Sequence, residues 1–386
     1  MRVRKCIAEK AEELRGMRRD LHRIPETAFE EFKTSEYVAV RLEAMHPDRL
    51  EIYLGTGVKA VFLAPGARRT VAIRADMDAL PVSEQTGLPF ASEHPGRMHA
   101  CGHDGHMAIA LLTAQIVSAA RSRLDTNYVF LFQPAEETTG GAAPLLEAGA
   151  LQDPSPEALY GLHLWPFIEE GMLGLRSGPL MAGVREVDIR ILGRSCHGAR
   201  PQDGTDAIVA GAQLIGAIQT IVSRSVDPEQ AALFTVGRVE GGSARNIICG
   251  ELRLEGTVRA YSAEVQALIA RRTGELLKGL ETMYGVRTEM TEAASYPPVV
   301  NPEELFARVE RCFAPDEWVT PDRVMISEDF SFYQQVMPAF FAFLGTGSSS
   351  WHEPLHSSRF SFDERVLETG VEYYLRVTGF PQDEAS

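Results

Sequence analysis

Cysteine is scarce in this sequence: Cys6, Cys101, Cys196, Cys249 and Cys312 are five thiols scattered over 386 residues. An odd, dispersed set does not make a disulfide framework, so the thiols are expected to be reduced. Positive charge is also short. Lys and Arg total 38 against 53 Asp and Glu, and the net charge of −15 argues against nucleic acid or an anionic membrane as the main partner, because both recruit basic patches. The first residues are not followed by a long apolar run, which predicts neither a signal peptide nor a membrane anchor and makes the cytoplasm the simplest address. Internal repeats and low-complexity tracts are missing as well. What remains is 45% hydrophobic and 24% charged, a composition and length that allow two domains with full cores. A small molecule is the expected partner.

Hydrophobic periodicity supplies the elements. Ile7, Ala11, Leu14, Arg18 and Leu21 have helical spacing, and Pro25 ends that helix soon after His22, which reads as a structural residue. Val58–Leu63 and Val71–Ala75 read as adjacent strands joined by the turn at Pro65-Gly66. Met107–Val117 is a buried helix, while Tyr128–Phe132, Leu159–Leu162 and Phe340–Leu344 are continuous apolar strands suited to a mostly parallel sheet flanked by helices. Between 181 and 293 the pattern changes to alternation, with Val187, Ile189 and Ile191 against Asp188 and Arg190. Two helices, near Ala207–Val222 and Val265–Met283, complete a strand-helix-strand-strand-helix-strand order, the ferredoxin-like α+β unit. The fold class is therefore α/β with an inserted α+β domain. The expected boundaries are 1–180 and 294–386 for a discontinuous catalytic domain and 181–293 for the insert.

Candidate chemistry gathers at strand ends. Cys101, His103, Asp104 and His106 fall within six positions just before or on the first turn of the buried helix, and thiolate and imidazole are favoured ligands of zinc. A lone Cys-x-His pair is as a rule packing, because cysteine behaves as a small buried hydrophobe. Asp76 and Asp78, Glu136 and Glu137, and His163 each follow an apolar strand, and open α/β sheets bind ligands at the carboxyl ends of their strands. In an extended segment Glu136 and Glu137 would point to opposite sides, one to bind metal and the other to move protons.

Taken in order, Asp76-Met77-Asp78-Ala79-Leu80-Pro81, the His99–His106 run, Gln133-Pro134-Ala135-Glu136-Glu137, Gly161-Leu162-His163, Ser327-Glu328-Asp329-Phe330 and His356 resemble one family. It is the di-metal amidohydrolase and metallopeptidase family of hippurate hydrolase, N-acyl-amino-acid amidohydrolases and auxin-conjugate hydrolases. The resemblance spans nearly the whole chain and implies a zinc-exopeptidase-like catalytic domain with an inserted lid or dimerisation domain. It implies two divalent ions, zinc or manganese with cobalt or nickel as options, ligated by Cys101, His103, Glu137, His163 and His356. Glu136 would be the general base. Asp78 would orient a ligand; Asp76 stands open as weak ligand, supporting acid or structural residue; Asp104 and His106 would support. In the insert, His197 would polarise the scissile carbonyl, and Asn246 and Arg259 would bind a substrate carboxylate. Cys196, where relatives usually have glycine, and Gln202, in place of a frequent histidine, depart from the pattern and bear on substrate preference.

The implied reaction is hydrolysis of an N-acyl amino acid to a carboxylic acid and a free amino acid, by a homodimer or higher homo-oligomer assembled through the insert. A dipeptidase or aminopeptidase on the same scaffold is the nearest alternative. Two others are a hydrolase using Cys101 as a thiol nucleophile activated by His103, and a binding protein that has lost the chemistry.

Overall fold

A computed structural model describes residues 1, 3–138 and 140–381. The last five residues of the expected catalytic domain, 382–386, lie outside the described residues. The chain divides into two compact units, one formed by Met1–Gly178, Asn301–Asp322 and Phe332–Ser386, the other by Pro179–Val300 with Arg323–Ser331.

The first unit is built on an eight-stranded sheet ordered Arg49–Tyr53, Gly57–Phe62, Thr126–Gln133, Arg69–Asp76, Ala158–Glu169, Ala339–Gly347, Leu173–Gly174 and Trp318–Val319. The four central strands, Thr126–Gln133 through Ala339–Gly347, run parallel. Their near-continuous apolar runs follow from this position, since helices cover both faces of a parallel sheet. The helix His103–Ala120 is buried along almost its whole length, including Ile109, Leu111, Leu112, Ile116 and Val117. Each such side chain contributes about 1.5–3 kcal/mol through burial, which makes this helix a rigid platform for whatever its first turn carries.

Three local expectations are corrected. Val58–Leu63 and Val71–Ala75 are not adjacent, because Thr126–Gln133 lies between them, antiparallel to Gly57–Phe62 and parallel to Arg69–Asp76. The strand read as Leu159–Leu162 continues to Glu169 through parallel pairing with Ala339–Gly347, so His163 sits within the strand, opposite Phe343, and not at its end. The N-terminal helix is two helices, Lys5–Ala8 and Ala11–Arg23, separated at Lys10, whose φ of −109° and ψ of 11° interrupt the turn.

The second unit is a four-stranded antiparallel sheet ordered Arg287–Tyr296, Gly183–Leu192, Glu251–Ala260 and Ala232–Gly241. In chain order of its strands this is 4-1-3-2, the split arrangement that two crossing strand-helix-strand units produce. The helices Ala207–Ser225 and Ala263–Tyr284 pack on each other and on Val187, Ile189 and Ile191. The Asp206 carboxylate accepts from the N–H groups of Ile208 and Val209, Ser262 caps the second helix through Val265 N–H, and Gly285 at φ 67° ends it. Ala207–Ser225 is long and apolar enough to cross a membrane by length and composition, yet Ala210, Leu214, Ile218 and Ile221 lie in the core of this unit. The unit exceeds the expected 181–293 and includes Arg323–Ser331, because Ala182 N–H donates to the carbonyls of Val324 and Ile326 at 3.0 and 3.1 Å.

Candidate metal centre

The turn before the buried helix sets the first group of candidate ligands. Gly102 caps that helix in a left-handed conformation at φ 86°, which a side chain would disfavour, and so places Cys101 before the turn and His103 as the first helical residue. His103 Nδ1–H donates to the Asp78 carbonyl at 2.8 Å. That bond fixes the ring and turns Nε2, buried and without a hydrogen-bond partner among the described residues, toward Glu137 Oε1 at 3.8 Å. His163 is oriented the same way: its Nδ1–H donates to the Leu164 carbonyl at 2.7 Å, leaving Nε2 3.4 Å from Cys101 Sγ. One donor atom from each of Cys101, His103 and His163 lies within 4.8 Å of the other two, and all three residues are buried.

A second group shares the thiol. Cys101, Glu137 and His356 also bring donor atoms within 4.8 Å of one another, and His356 Nε2 is 3.2 Å from Glu137 Oε1. Two backbone conformations rare for side-chain-bearing residues supply it: Ala135 at φ 59° and His356 at φ 65°. Glu136 and Glu137 therefore occupy a turn, where the sequence suggested extended chain. Asp78 holds that turn, Oδ1 accepting from Glu136 N–H and Oδ2 from Glu137 N–H, each at 3.0 Å. His356 is anchored by its own N–H, which donates to the Ala100 carbonyl at 2.8 Å next to Cys101.

The electrostatics call for cations. Burial pushes the Cys101 thiol well above its usual range and Glu137 and Glu136 push it further, so a thiolate there needs a positive charge beside it. Burial opposes a charged His103, yet Asp76, Asp78 and Glu137 outweigh it and raise the imidazole to about 10. A proton or a metal ion answers that demand, and the thiolate, imidazole and carboxylate donors fit zinc or another borderline divalent metal.

The neighbouring acids and histidines are already committed. His106 Nδ1–H donates to Asp76 Oδ1 at 2.6 Å and its Nε2 accepts from Leu164 N–H at 2.9 Å, so both nitrogens have hydrogen-bond partners. Asp76 Oδ2 accepts from Arg74 Nη1 at 2.7 Å, which occupies its second oxygen. Asp76 also lies with His103 and His106 in a third group whose donor atoms fall within 4.8 Å of one another. Asp104 Oδ2 accepts from Arg18 Nε at 3.1 Å and faces His22 Nδ1 at 2.8 Å, tying the helix Ala11–Arg23 to the helix His103–Ala120. Sequence reasoning missed Arg74, although a charged residue inside a buried apolar strand was a usable signal. It also missed Glu31, whose Oε1 accepts from Ala135 N–H at 3.0 Å.

Within the second unit, His197 and Asn246 lie on adjoining loops: Gly198 N–H donates to the Asn246 carbonyl at 2.7 Å, and His197 bridges to Ile247. His197 is exposed, and its Nδ1 accepts from Ala199 N–H at 3.0 Å. Arg259 is half-buried on the strand Glu251–Ala260, with Nη1 lacking a partner among the described residues. Cys196 sits in the same loop, its thiol 3.3 Å from the Arg200 carbonyl.

Known proteins are similar to this chain along most of its length. N-acetyldiaminopimelate deacetylase of Bacillus subtilis (strain 168) is 40% identical over 368 residues, covering 94% of this chain and 96% of its own. N-acetyl-L-cysteine deacetylase of the same organism is 38% identical over 358 residues, covering 92% of this chain and 85% of its own. A crystal structure of a dinuclear-metal-binding peptidase of the M20 family from Bacillus subtilis has a TM-score of 0.84 at 33% identity, covering 96% of this chain and 98% of that one. The sequence pattern of peptidase family M20/M25/M40 matches residues 72–378, a span containing both candidate groups, and the chain belongs to that family.

Proposed function

We infer that this protein is a metal-dependent amidohydrolase that cleaves the amide bond of N-acyl amino acids, with N-acetyl as the acyl group best supported by the names of its relatives. The observation that carries this reading is the pair of ligand groups sharing Cys101, with Glu136 beside Glu137 in the turn that completes one of them. Cys101, His103 and His163 would hold one ion, and Cys101, Glu137 and His356 the other. Two divalent ions, when bound there, would supply Lewis acidity toward a water and toward negative charge developing on the scissile carbonyl oxygen.

The chain's own residues do the rest. Glu136 takes the proton of the attacking water and passes it to the departing amine. Asp78 fixes both glutamates through their backbone N–H groups and fixes His103 through its carbonyl. Asp76 acts through His106, outside the ligand groups. From the insert, His197 donates to the carbonyl oxygen as negative charge develops, and Asn246 and Arg259 hold the substrate carboxylate, a task suited to a two-pronged guanidinium. A thiolate in both groups favours zinc, with manganese, cobalt and nickel also compatible with the imidazoles and carboxylate. A cytoplasmic homodimer completes the reading: the exposed edge strand Ala232–Gly241 and the exposed Ile208 and Val209 support assembly through the insert.

A hydrolysis panel tests it. N-acetyl, N-benzoyl and indole-acetyl amino acids are compared with free-amine dipeptides, using the metal-loaded parent and Glu136→Gln. The expected result is turnover of acylated substrates alone, reduced by about 10²–10⁴-fold in the variant with metal content unchanged. Preferential cleavage of free-amine dipeptides would instead identify a peptidase, and parental turnover by the variant would remove Glu136 as the base.

A further inference from the structure

The turn that carries Glu136 and Glu137 is held by two carboxylates, of which only Asp78 belongs to a motif singled out by sequence. Three consecutive backbone N–H groups are gripped: Ala135 by Glu31 Oε1, Glu136 by Asp78 Oδ1 and Glu137 by Asp78 Oδ2, each at 3.0 Å. Ala135 is also the residue at φ 59°, a conformation that a side-chain-bearing residue keeps only where its surroundings hold it. Glu31 is fully buried, and its other oxygen is anchored by the Thr56 hydroxyl at 2.9 Å. Its backbone carbonyl accepts from Ser35 N–H at 2.8 Å, so the helix Phe32–Glu43 starts from the same residue. Such a carboxylate is costly to bury, and beyond its own backbone N–H it is held by Thr56 and Ala135, 25 and 104 residues away in sequence. Neither bond is needed to begin the helix.

We propose that Glu31 is a positioning residue for hydrolysis: by holding Ala135 N–H it keeps the turn in its left-handed form and sets where the Glu136 and Glu137 carboxylates stand. Thr56 sets Glu31 in turn. The proposal rests on the reading of Glu136 as the base and of Glu137 as a ligand.

Steady-state kinetics at saturating zinc on an N-acetyl amino acid, with thermal unfolding of each metal-loaded protein, test it in Glu31→Ala, Glu31→Gln, Thr56→Val and Glu136→Gln. In Glu31→Ala kcat falls by about 10- to 100-fold, the scale of a small displacement of a reacting group, while KM stays near the parental value. Glu31→Gln restores most of kcat, since its carbonyl can accept from Ala135 N–H and its amide can donate to the Thr56 oxygen. Thr56→Val, which removes only the anchor, lowers kcat by less than Glu31→Ala. A folded Glu31→Ala with parental kcat, or a Glu31→Gln as impaired as Glu31→Ala, overturns the proposal. Should Glu31→Ala not fold, Thr56→Val decides, parental kcat there counting against. Glu136→Gln separates the two levels: if it keeps full turnover, the base assignment fails and this proposal with it, whereas an inactive Glu136→Gln beside a fully active Glu31→Ala defeats the Glu31 role alone.

Discussion

His106 shows how a residue of the right type at the right spacing can stand one step from the metal. Its nitrogens bracket Asp76 and the Leu164 N–H, while the Leu164 carbonyl accepts from His163, so one residue, Leu164, links Arg74, Asp76 and His106 to the candidate ligand His163. Replacing His106 by Ala should weaken binding of the ion held by His163 by about 10- to 100-fold and leave the other less affected, as followed by metal titration. Equal affinity for both ions in that variant would deny the transmission. Glu31 adds a pH signature. Burial raises its carboxyl from 4.5 to about 7, so the folded protein keeps a proton that the unfolded chain gives up. The stability tied to that proton is present in full below 4.5 and lost as pH rises through about 7. Glu31→Gln cannot ionise, and its melting advantage over the parent should be larger at about pH 8 than at about pH 5.5; a constant difference would contradict the shift. Cys101, His103, Glu137 and His163 stood out by residue type and place at strand or helix ends, while the full set of five candidates, with His356, came from the resemblance of the ordered motifs. Glu31, and the part His106 plays, were not, because the groups they hold are backbone amides 104 and 58 residues away, which leave no trace in side-chain pattern.

At the scale of elements, the buried helix His103–Ala120 and the strands around it were readable from apolar runs, whereas their neighbours were not. Periodicity reports which residues are buried and carries no record of which strand supplies the hydrogen bonds, hence the misplacement of Thr126–Gln133 and the shortened strand at His163. The turn at Ala135 escaped for a related reason: alanine is not a turn signal, and its left-handed conformation is imposed by distant carboxylates. Gly102 is the opposite case, a residue whose identity the turn requires. A Cβ there would stand 3.0 Å from Leu164 Cδ1 on a backbone already at φ 86°. Gly102→Ala should cost about 1–2 kcal/mol and re-aim Cys101 and His103 together, lowering both the melting temperature and the metal content. An unchanged melting temperature would show that the turn tolerates a side chain.

For the whole molecule, the switch from apolar runs to alternation near 181 marked the insert, because a parallel sheet buried on both faces and an antiparallel sheet wet on one leave different patterns. The excursion of Arg323–Ser331 into the second unit left no such pattern, being fixed by two backbone hydrogen bonds to Ala182. Metal should matter to the whole protein as well as to turnover. Chelation should abolish hydrolysis and lower the melting temperature, and zinc or manganese should restore both, since a ligand bound only by the folded state stabilises it by mass action. Activity that survived complete metal removal would favour Cys101 as a nucleophile. The most direct test of two ions sharing one thiol is metal content per chain in the parent and in Cys101→Ala, His163→Ala and His356→Ala. Two ions are expected in the parent, one in each histidine variant and none firmly held in Cys101→Ala. Retention of both ions by Cys101→Ala would contradict it.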